Sequence, residues 1–258
     1  FIADTHSSGF TYLGPIEEGN EYLTQFIGIA EDEFVIFWNN RNARRKQPGT
    51  LLYWYKEFLD RVGQDKNRLI MHTDPEDPNG PNLISIINKL GLNDGQVQFS
   101  TQKVDFQDLA AIYNAVDLTV NISDAEGFGL STLESLSCGT PIVVNMTGGL
   151  QEQVTDGENW FGVGLEPVSK AVIGSQEIPY IYEDRISMED FVSALEKIYN
   201  MSPEERKALG DAGKEHVNKN YKFDNYTASW EELLTSIHEK YGSWDTRKDY
   251  KTWYLNEV

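Results

Sequence analysis

The chain is poor in cysteine, histidine and positive charge. Cys138 is its only cysteine, so no intrachain disulfide can form. That suits a reducing compartment, and a cytoplasmic location is expected on that ground. Cys138 sits at an apolar helix end, where a buried, inert thiol is expected rather than a nucleophile. The histidines number four and none pairs with another at metal-ligand spacing. There is no Asp-x-Asp and no cysteine pair, so no metal set and no resident cofactor are read from the residues. Lys and Arg total 22 against 41 Asp and Glu, which gives a net charge of −19. Such a field repels nucleic acid, and DNA or RNA is excluded as a partner. It also repels phosphorylated ligands unless a basic patch opposes it locally. No stretch approaches the roughly 18–20 apolar residues of a membrane span, so no transmembrane segment is expected. The start, Phe1-Ile2-Ala3-Asp4-Thr5-His6, lacks the basic and apolar regions of a secretory leader. It also lacks methionine, so a removed start or a chain continuing upstream is expected.

What is present is an alternation of short apolar runs and helical stripes. The 258 residues suffice for a buried core. Residues 34–40 read as a buried strand ending in polar side chains. Pro48-Gly49 then opens a helical period of Leu51, Leu52, Tyr55, Phe58, Leu59 and Val62, closed by Gly63. Further strands are expected at 68–72, 97–99, 118–122 and 141–144. Helices are expected around Leu83–Leu90, Phe106–Val116 and in the stretch after Ile122. This alternation predicts an α/β fold, a doubly wound Rossmann-like parallel sheet covered by helices on both faces. Residues 166–187 read as irregular. Helices should follow from Ser187, from Ser202-Pro203 and along Trp230, Leu233, Leu234, Ile237 and Tyr241. The expected organisation is a linker over 1–33 and a Rossmann-like domain over 34–187. Residues 188–258 should form C-terminal helices and an aromatic tail packed on that domain. Four Asn-x-Ser/Thr triplets, at Asn121, Asn145, Asn200 and Asn225, read as chance matches, the first two because they end buried strands.

Ligands of open parallel sheets bind beyond the carboxyl ends of the strands. Three such ends carry unusual loops. After the first strand comes Asn40-Arg41-Asn42-Ala43-Arg44-Arg45-Lys46, a basic cluster within an acidic protein. Guanidinium forks and a lysine point charge suit phosphate oxygens. After Ile122 comes Glu126-Gly127-Phe128-Gly129, with a helix expected from about Phe128. Glycines let backbone amides approach a ligand, and the first amides of a helix have no internal partner. Glu126 precedes this helix and Glu134 lies within it, eight positions on. Eight helical residues span about 12 Å. The two carboxylates therefore serve different parts of an elongated ligand, as acceptors from hydroxyl pairs. Thr147-Gly148-Gly149 offers either further amides or a flexible turn.

Glu126 to Glu134, Cys138-Gly139-Thr140-Pro141 and Gly148-Gly149 together resemble the E-x7-E signature of retaining GT-B glycosyltransferases, the family 4 or group 1 type related to glycogen synthase. Arg41 and Lys46 resemble that family's arginine–lysine pair. The resemblance covers roughly residues 34–240. It implies the carboxyl-terminal, donor-binding half of a GT-B fold. It also implies transfer of a sugar from a nucleotide-sugar donor, with retention and without a metal. Arg41 and Lys46 would hold the diphosphate, and Glu134 the ribose hydroxyls. Glu126 would lie at the sugar, so Glu126, Arg41 and Lys46 are the implied catalytic set. Gly127, Phe128, Gly129, Leu130, Ser131 and Thr132 complete the implied donor loop, through their amides. The acceptor, a sugar or a lipid-linked sugar, would come through an amino-terminal domain that has no counterpart here. A truncated or dissected enzyme is expected.

Two positions depart from the pattern. Gln47 stands where glycine usually follows the lysine, and Ser100-Thr101 where a glycine-bearing loop approaches the base. The base, sugar and acceptor stay open. A non-catalytic nucleotide-sugar-binding module is the alternative. A Rossmann dehydrogenase would need a glycine-rich turn after the first strand, where this chain has arginines.

Overall fold

A computed structural model describes residues 30, 32–246 and 248. Its centre is a six-stranded parallel sheet in the order β3-β2-β1-β4-β5-β6. The strands are β1 (Phe34–Asn39), β2 (Asn67–His72), β3 (Val97–Ser100), β4 (Leu118–Asn121), β5 (Ile142–Asn145) and β6 (Gly162–Leu165). Side chains alternate across β1: Phe34, Ile36 and Trp38 enter one apolar cluster, Val35 and Phe37 another. The first cluster is closed by helix α1 (Pro48–Val62), by α2 (Leu83–Leu90) and by α6 (Met188–Tyr199). On the other face lie α3 (Phe106–Ala115), α4 (Leu130–Cys138), the short α5 (Leu150–Val154) and α7 (Pro203–Asn220). The doubly wound α/β sheet expected from the sequence is the architecture found.

Local signals explain the boundaries. Ser202 and Glu205 form a reciprocal capping box at the start of α7, with Pro203 in its first turn. Ser187 caps α6 by accepting from the amide of Asp190 at 3.1 Å. Gly139 closes α4 at φ +82°, and Cys138 just before it is buried, its thiol pushed up to about 12 by desolvation.

The structure corrects the sequence reading in three places. Gly162-Val163-Gly164-Leu165 forms β6, a strand the glycines disguised. A Cβ on Gly162 would overlap the backbone of Ile142, so close strand approach requires glycine there. The region 166–187, read as irregular, contains an antiparallel ribbon of β7 (Ser169–Val172) and β8 (Tyr182–Arg185). Its strands are mostly exposed and mixed in polarity, so no alternating apolar pattern announced them. Last, α8 (Phe223–Tyr241) is a helix as expected, but none of its residues is buried. Its stripe of Trp230, Leu233, Leu234, Ile237 and Tyr241 is 41–57% exposed. The packing expected over 188–258 thus stops, among the described residues, at α7. Of the tail aromatics Trp244 is exposed, while Tyr250, Trp253, Tyr254 and the linker up to residue 29 lie outside the described residues. No described helix is long and apolar enough to cross a membrane.

Candidate functional site

The sheet order reverses between β1 and β4, because the chain winds outward from β1 to β3 and then returns to β4. Connections leave β1 and β4 in opposite directions, which opens a crevice beyond their carboxyl ends. The two most unusual loops of the sequence, 40–47 and 123–129, emerge there. Asn40 Nδ2, Thr73 Oγ1 and Asn121 Nδ2, all at or just beyond strand ends, are buried without a protein partner among the described residues.

Residues Arg44–Lys46 form a single 3-10 turn. Lys46 is buried, 9% exposed, and its ammonium is paired with a Glu126 carboxylate oxygen. Burial lowers the Lys46 pKa, while Glu126 works in the opposite direction. Arg45 donates to the carbonyl of Ala125 at 2.7 Å and lies 3.8 Å from Glu126. The fold therefore brings Lys46 and Glu126 together across 80 residues of sequence. Arg41 is placed differently. Its side chain is 67% exposed and binds Asp77 in the β2–α2 loop at 2.7 Å. Asp77 holds the Arg41 guanidinium above its ordinary pKa, and Arg41 lowers that of Asp77. Asn42 anchors this loop from beneath, donating to the carbonyls of Pro75 at 3.3 Å and Pro81 at 2.9 Å.

Glu134 sits just over one turn into α4, half-buried. It accepts from the Tyr113 hydroxyl at 2.9 Å, and Asn39 Nδ2 donates to that hydroxyl at 2.9 Å. The relay runs from the end of β1 through α3 to α4. Desolvation pushes the Glu134 carboxyl up to about 7, against the pull of the Tyr113 hydrogen bond. Glu134 is thus bonded to Tyr113 and Glu126 to Lys46; α4 starts only at Leu130, so the stretch between the glutamates is half loop rather than the continuous helix expected from the sequence.

The loop between the glutamates divides by role. Gly127 and Leu130 are exposed; Gly129, at φ +86°, is the N-cap of α4. The amides of Leu130, Ser131 and Thr132 follow at the open helix start, where no intrahelical acceptor exists. Two side chains of this loop are turned into the protein: Phe128 packs against Tyr221 with ring centroids 5.9 Å apart, and the Thr132 hydroxyl is bound to Gly129 and Gln153. Gly148 and Gly149 have a further use that the sequence did not show. A Cβ on Gly148 would overlap the Glu126 carbonyl, and one on Gly149 would lie 2.8 Å from the Phe128 carbonyl. The Gly149 amide donates to Gly127 at 3.1 Å. The double glycine lets the β5 loop press against the β4 loop and fix its course.

Sequence reasoning missed a polar network behind this crevice. Glu183 of β8 receives both outer nitrogens of Arg44, at 3.1 and 2.6 Å, and Arg185 at 2.6 Å. Asp124 receives Arg185 at 3.1 Å and the side-chain amide of Gln47. The charged run Glu183-Asp184-Arg185 was the available signal, in a stretch without apolar periodicity. Among the described residues no three His, Cys, Asp or Glu side chains are grouped to hold a metal ion.

Comparison with known proteins bears on the family and the fold. The profile of the family described as glycosyl transferases group 1 matches residues 21–216. The chain is 29% identical over 202 residues to D-inositol 3-phosphate glycosyltransferase 2 of Catenulispora acidiphila, covering 71% of this chain and 47% of that protein. It is 31% identical over 196 residues to the D-inositol 3-phosphate glycosyltransferase of Geodermatophilus obscurus, covering 70% of this chain and 43% of that one. The chain thus spans about half the length of these curated relatives. In fold it is similar to sucrose-phosphate synthase of Thermosynechococcus elongatus, with a TM-score of 0.68 at 22% identity, over 89% of this chain and 50% of that one. It is similar to Anabaena HepE, solved with UDP and glucose, with a TM-score of 0.67 at 19% identity, over 87% of this chain and 54% of that one. The C-terminal domain of a group 1 glycosyl transferase from Francisella tularensis matches with a TM-score of 0.63 at 20% identity, over 86% of this chain and 99% of that domain. The architecture is therefore the carboxyl-terminal half of a GT-B fold.

Proposed function

The chain belongs to the group 1 glycosyl transferases, and on that premise we propose that it is the donor-binding half of a retaining, metal-independent enzyme that uses a nucleotide-diphosphate sugar. The observation that carries the reading is the buried pairing of Lys46 with Glu126 at the switch point of the sheet, beside the open start of α4. A buried lysine next to free helix amides is a diphosphate cradle; a carboxylate at the same place serves sugar hydroxyls. In the structure the two groups neutralise each other. A donor separates them: its phosphates take Lys46 and the α4 amides, and Glu126 turns to the sugar. Glu134, at the far side, takes the ribose hydroxyls.

The chemistry requires stabilisation of an oxocarbenium-like sugar and of the negative charge on the departing diphosphate. Lys46, Arg41 and the helix start supply positive potential there, the contribution usually largest in such reactions. The sugar, a hexose by the resemblance, is transferred to a sugar or lipid-linked acceptor presented by another domain. The single buried thiol supports a cytoplasmic setting.

Calorimetric titration with UDP, GDP and ADP tests the binding claim. One of the three should bind, with a binding heat that disappears in Lys46→Ala; binding of none sinks the reading. Transfer to an acceptor separates an enzyme half from a module that only binds nucleotide sugars. Binding without transfer, when the chain is joined to an acceptor domain, favours the module.

Arg41 adds a prediction. Because Asp77 occupies its guanidinium, Asp77→Asn should free Arg41 for phosphate. Exposed ion pairs are weak, so Asp77 competes only modestly with a phosphate. Nucleoside diphosphate affinity should therefore rise by no more than about fivefold, with no gain for the bare nucleoside. An unchanged or lower diphosphate affinity would remove Arg41 from the site.

A further inference from the structure

The β7–β8 ribbon is joined to the crevice by more polar contacts than its own stability explains. At its root, Glu183 is 2% exposed and takes Arg44 from the 3-10 turn together with its own neighbour Arg185. Asp124, 4% exposed, takes Arg185 and Gln47. The backbone follows the same course: the Asp124 amide donates to Arg45 at 2.8 Å, and the Asp184 amide to Asp124 at 2.7 Å. Asn145 donates to the Asp184 carbonyl at 2.9 Å, and Thr147 to its carboxylate at 2.8 Å. Three strand-end loops, those of β1, β4 and β5, thus converge on the ribbon root.

Only the carboxylates of this network are buried: Arg44 is 59% exposed and Arg185 35%. Ion pairs with so exposed a partner contribute little to stability, so the network is a poor device for stability alone. The backbone shows what is being held. Gln47 has φ +55°, and it is the one non-glycine with positive φ among the described residues. A side chain in that region carries strain and persists only where the surroundings impose it. Here they do: Gln47 binds Asp124 with its amide nitrogen and receives the Thr50 hydroxyl at 2.5 Å with its oxygen. Arg44 on one side of Lys46 and Gln47 on the other are thus both tied to the ribbon network. Lys46 is the residue between the ties.

We propose that Glu183, at the root of the β7–β8 ribbon, is a positioning residue that sets Lys46 for the donor diphosphate by clamping the 3-10 turn through Arg44, Arg185 and Asp124. The proposal rests on the donor-site reading above. The ribbon touches no phosphate itself; it fixes the turn from behind. Its removal should cost affinity for phosphate and not for the nucleoside, which binds farther along the crevice.

The test uses the intact chain, Arg44→Ala and Glu183→Gln. Arg44 has an exposed side chain, so its variant is expected to fold; Glu183→Gln keeps an acceptor and removes the charge. Each is titrated by NMR with whichever of UDP, GDP or ADP binds the unmodified chain, and with the matching nucleoside. Both variants should lose about tenfold in diphosphate affinity, by analogy with lost partners behind a metal ligand, with nucleoside affinity unchanged. The melting temperature of Arg44→Ala should fall by less than about 4 °C. Equal loss for nucleoside and diphosphate would make the network merely structural and overturn the proposal. Unchanged diphosphate affinity in both variants would overturn it as well, while leaving the donor site standing. If the unmodified chain binds none of the three diphosphates, the donor-site reading falls, and the clamp with it.

Discussion

Lys46→Ala is expected to lower turnover by about 10²-fold or more, measured in a complete transferase that carries this half. The leaving diphosphate gains negative charge in the transition state, and a preorganised cation inside a water-poor crevice stabilises it most there. Lys46 meets both conditions, since it is 9% exposed and held by the short turn Arg44–Lys46. The substitution also removes the partner of Glu126. Stripping one member from a buried pair costs on the order of 3–5 kcal/mol, because the other charge is left unpaired. Arg45, 3.8 Å from Glu126, should soften that loss. A lower melting temperature therefore accompanies the lost turnover and could be mistaken for its cause. Turnover measured at temperatures where Lys46→Ala is fully folded separates them: it should stay low there, as lost stability alone would not make it. Normal turnover in Lys46→Ala would refute the assigned role.

The same pair shows what the sequence could and could not convey. Strands β1 to β5 were legible because each is a short apolar run next to a helix with a clean stripe, and parallel sheets bury both faces. The carboxyl ends of those strands locate the crevice. Glu126, Lys46 and the α4 start were therefore legible as parts of one site. The direct contact of Lys46 with Glu126 was not, because 80 residues separate them and only the sheet order joins them. Arg41 was grouped with Lys46 by the family resemblance, yet the fold turns it to Asp77, an acid in a Pro-rich loop with no signal of its own. Glu183 was hidden more deeply. A ribbon whose strands pair mainly with each other needs no apolar alternation, so the charges that hold it looked like a solvated run. Gln47 reads differently after the fact. The left-handed turn there explains why glycine suits the position, and the side-chain bonds to Asp124 and Thr50 explain how glutamine can replace it.

Glu134→Ala should weaken binding of the ribonucleoside diphosphate roughly ten- to hundredfold, from hydrogen bonds to a charged group worth about 1.5–3 kcal/mol. The effect belongs to the ribose, so it should vanish when the 2′-deoxy nucleotide is compared. The unmodified chain should discriminate ribo from deoxy, and the variant should not. The proton ledger gives a second signature. Burial lifts the Glu134 carboxyl to about 7, and hydroxyl donors favour its charged form. Below pH 7 binding must expel that proton, so affinity should fall as pH drops from 8 to 6. The terminal phosphate of the ligand titrates near 6 as well, which is why the nucleoside, lacking phosphate, is the cleaner probe. For folding the sign is opposite. A folded pKa raised above its unfolded value of 4.5 means that the folded chain holds the extra proton between about 4.5 and 7. This contribution to stability is fully present below 4.5 and is lost as pH rises through 7. Glu134→Gln should therefore flatten both slopes at once, raising stability at pH 8 while removing the pH dependence of nucleoside binding. If the ribo-to-deoxy ratio and the binding slope both survive in the Glu134 variants, the ribose lies elsewhere in the crevice.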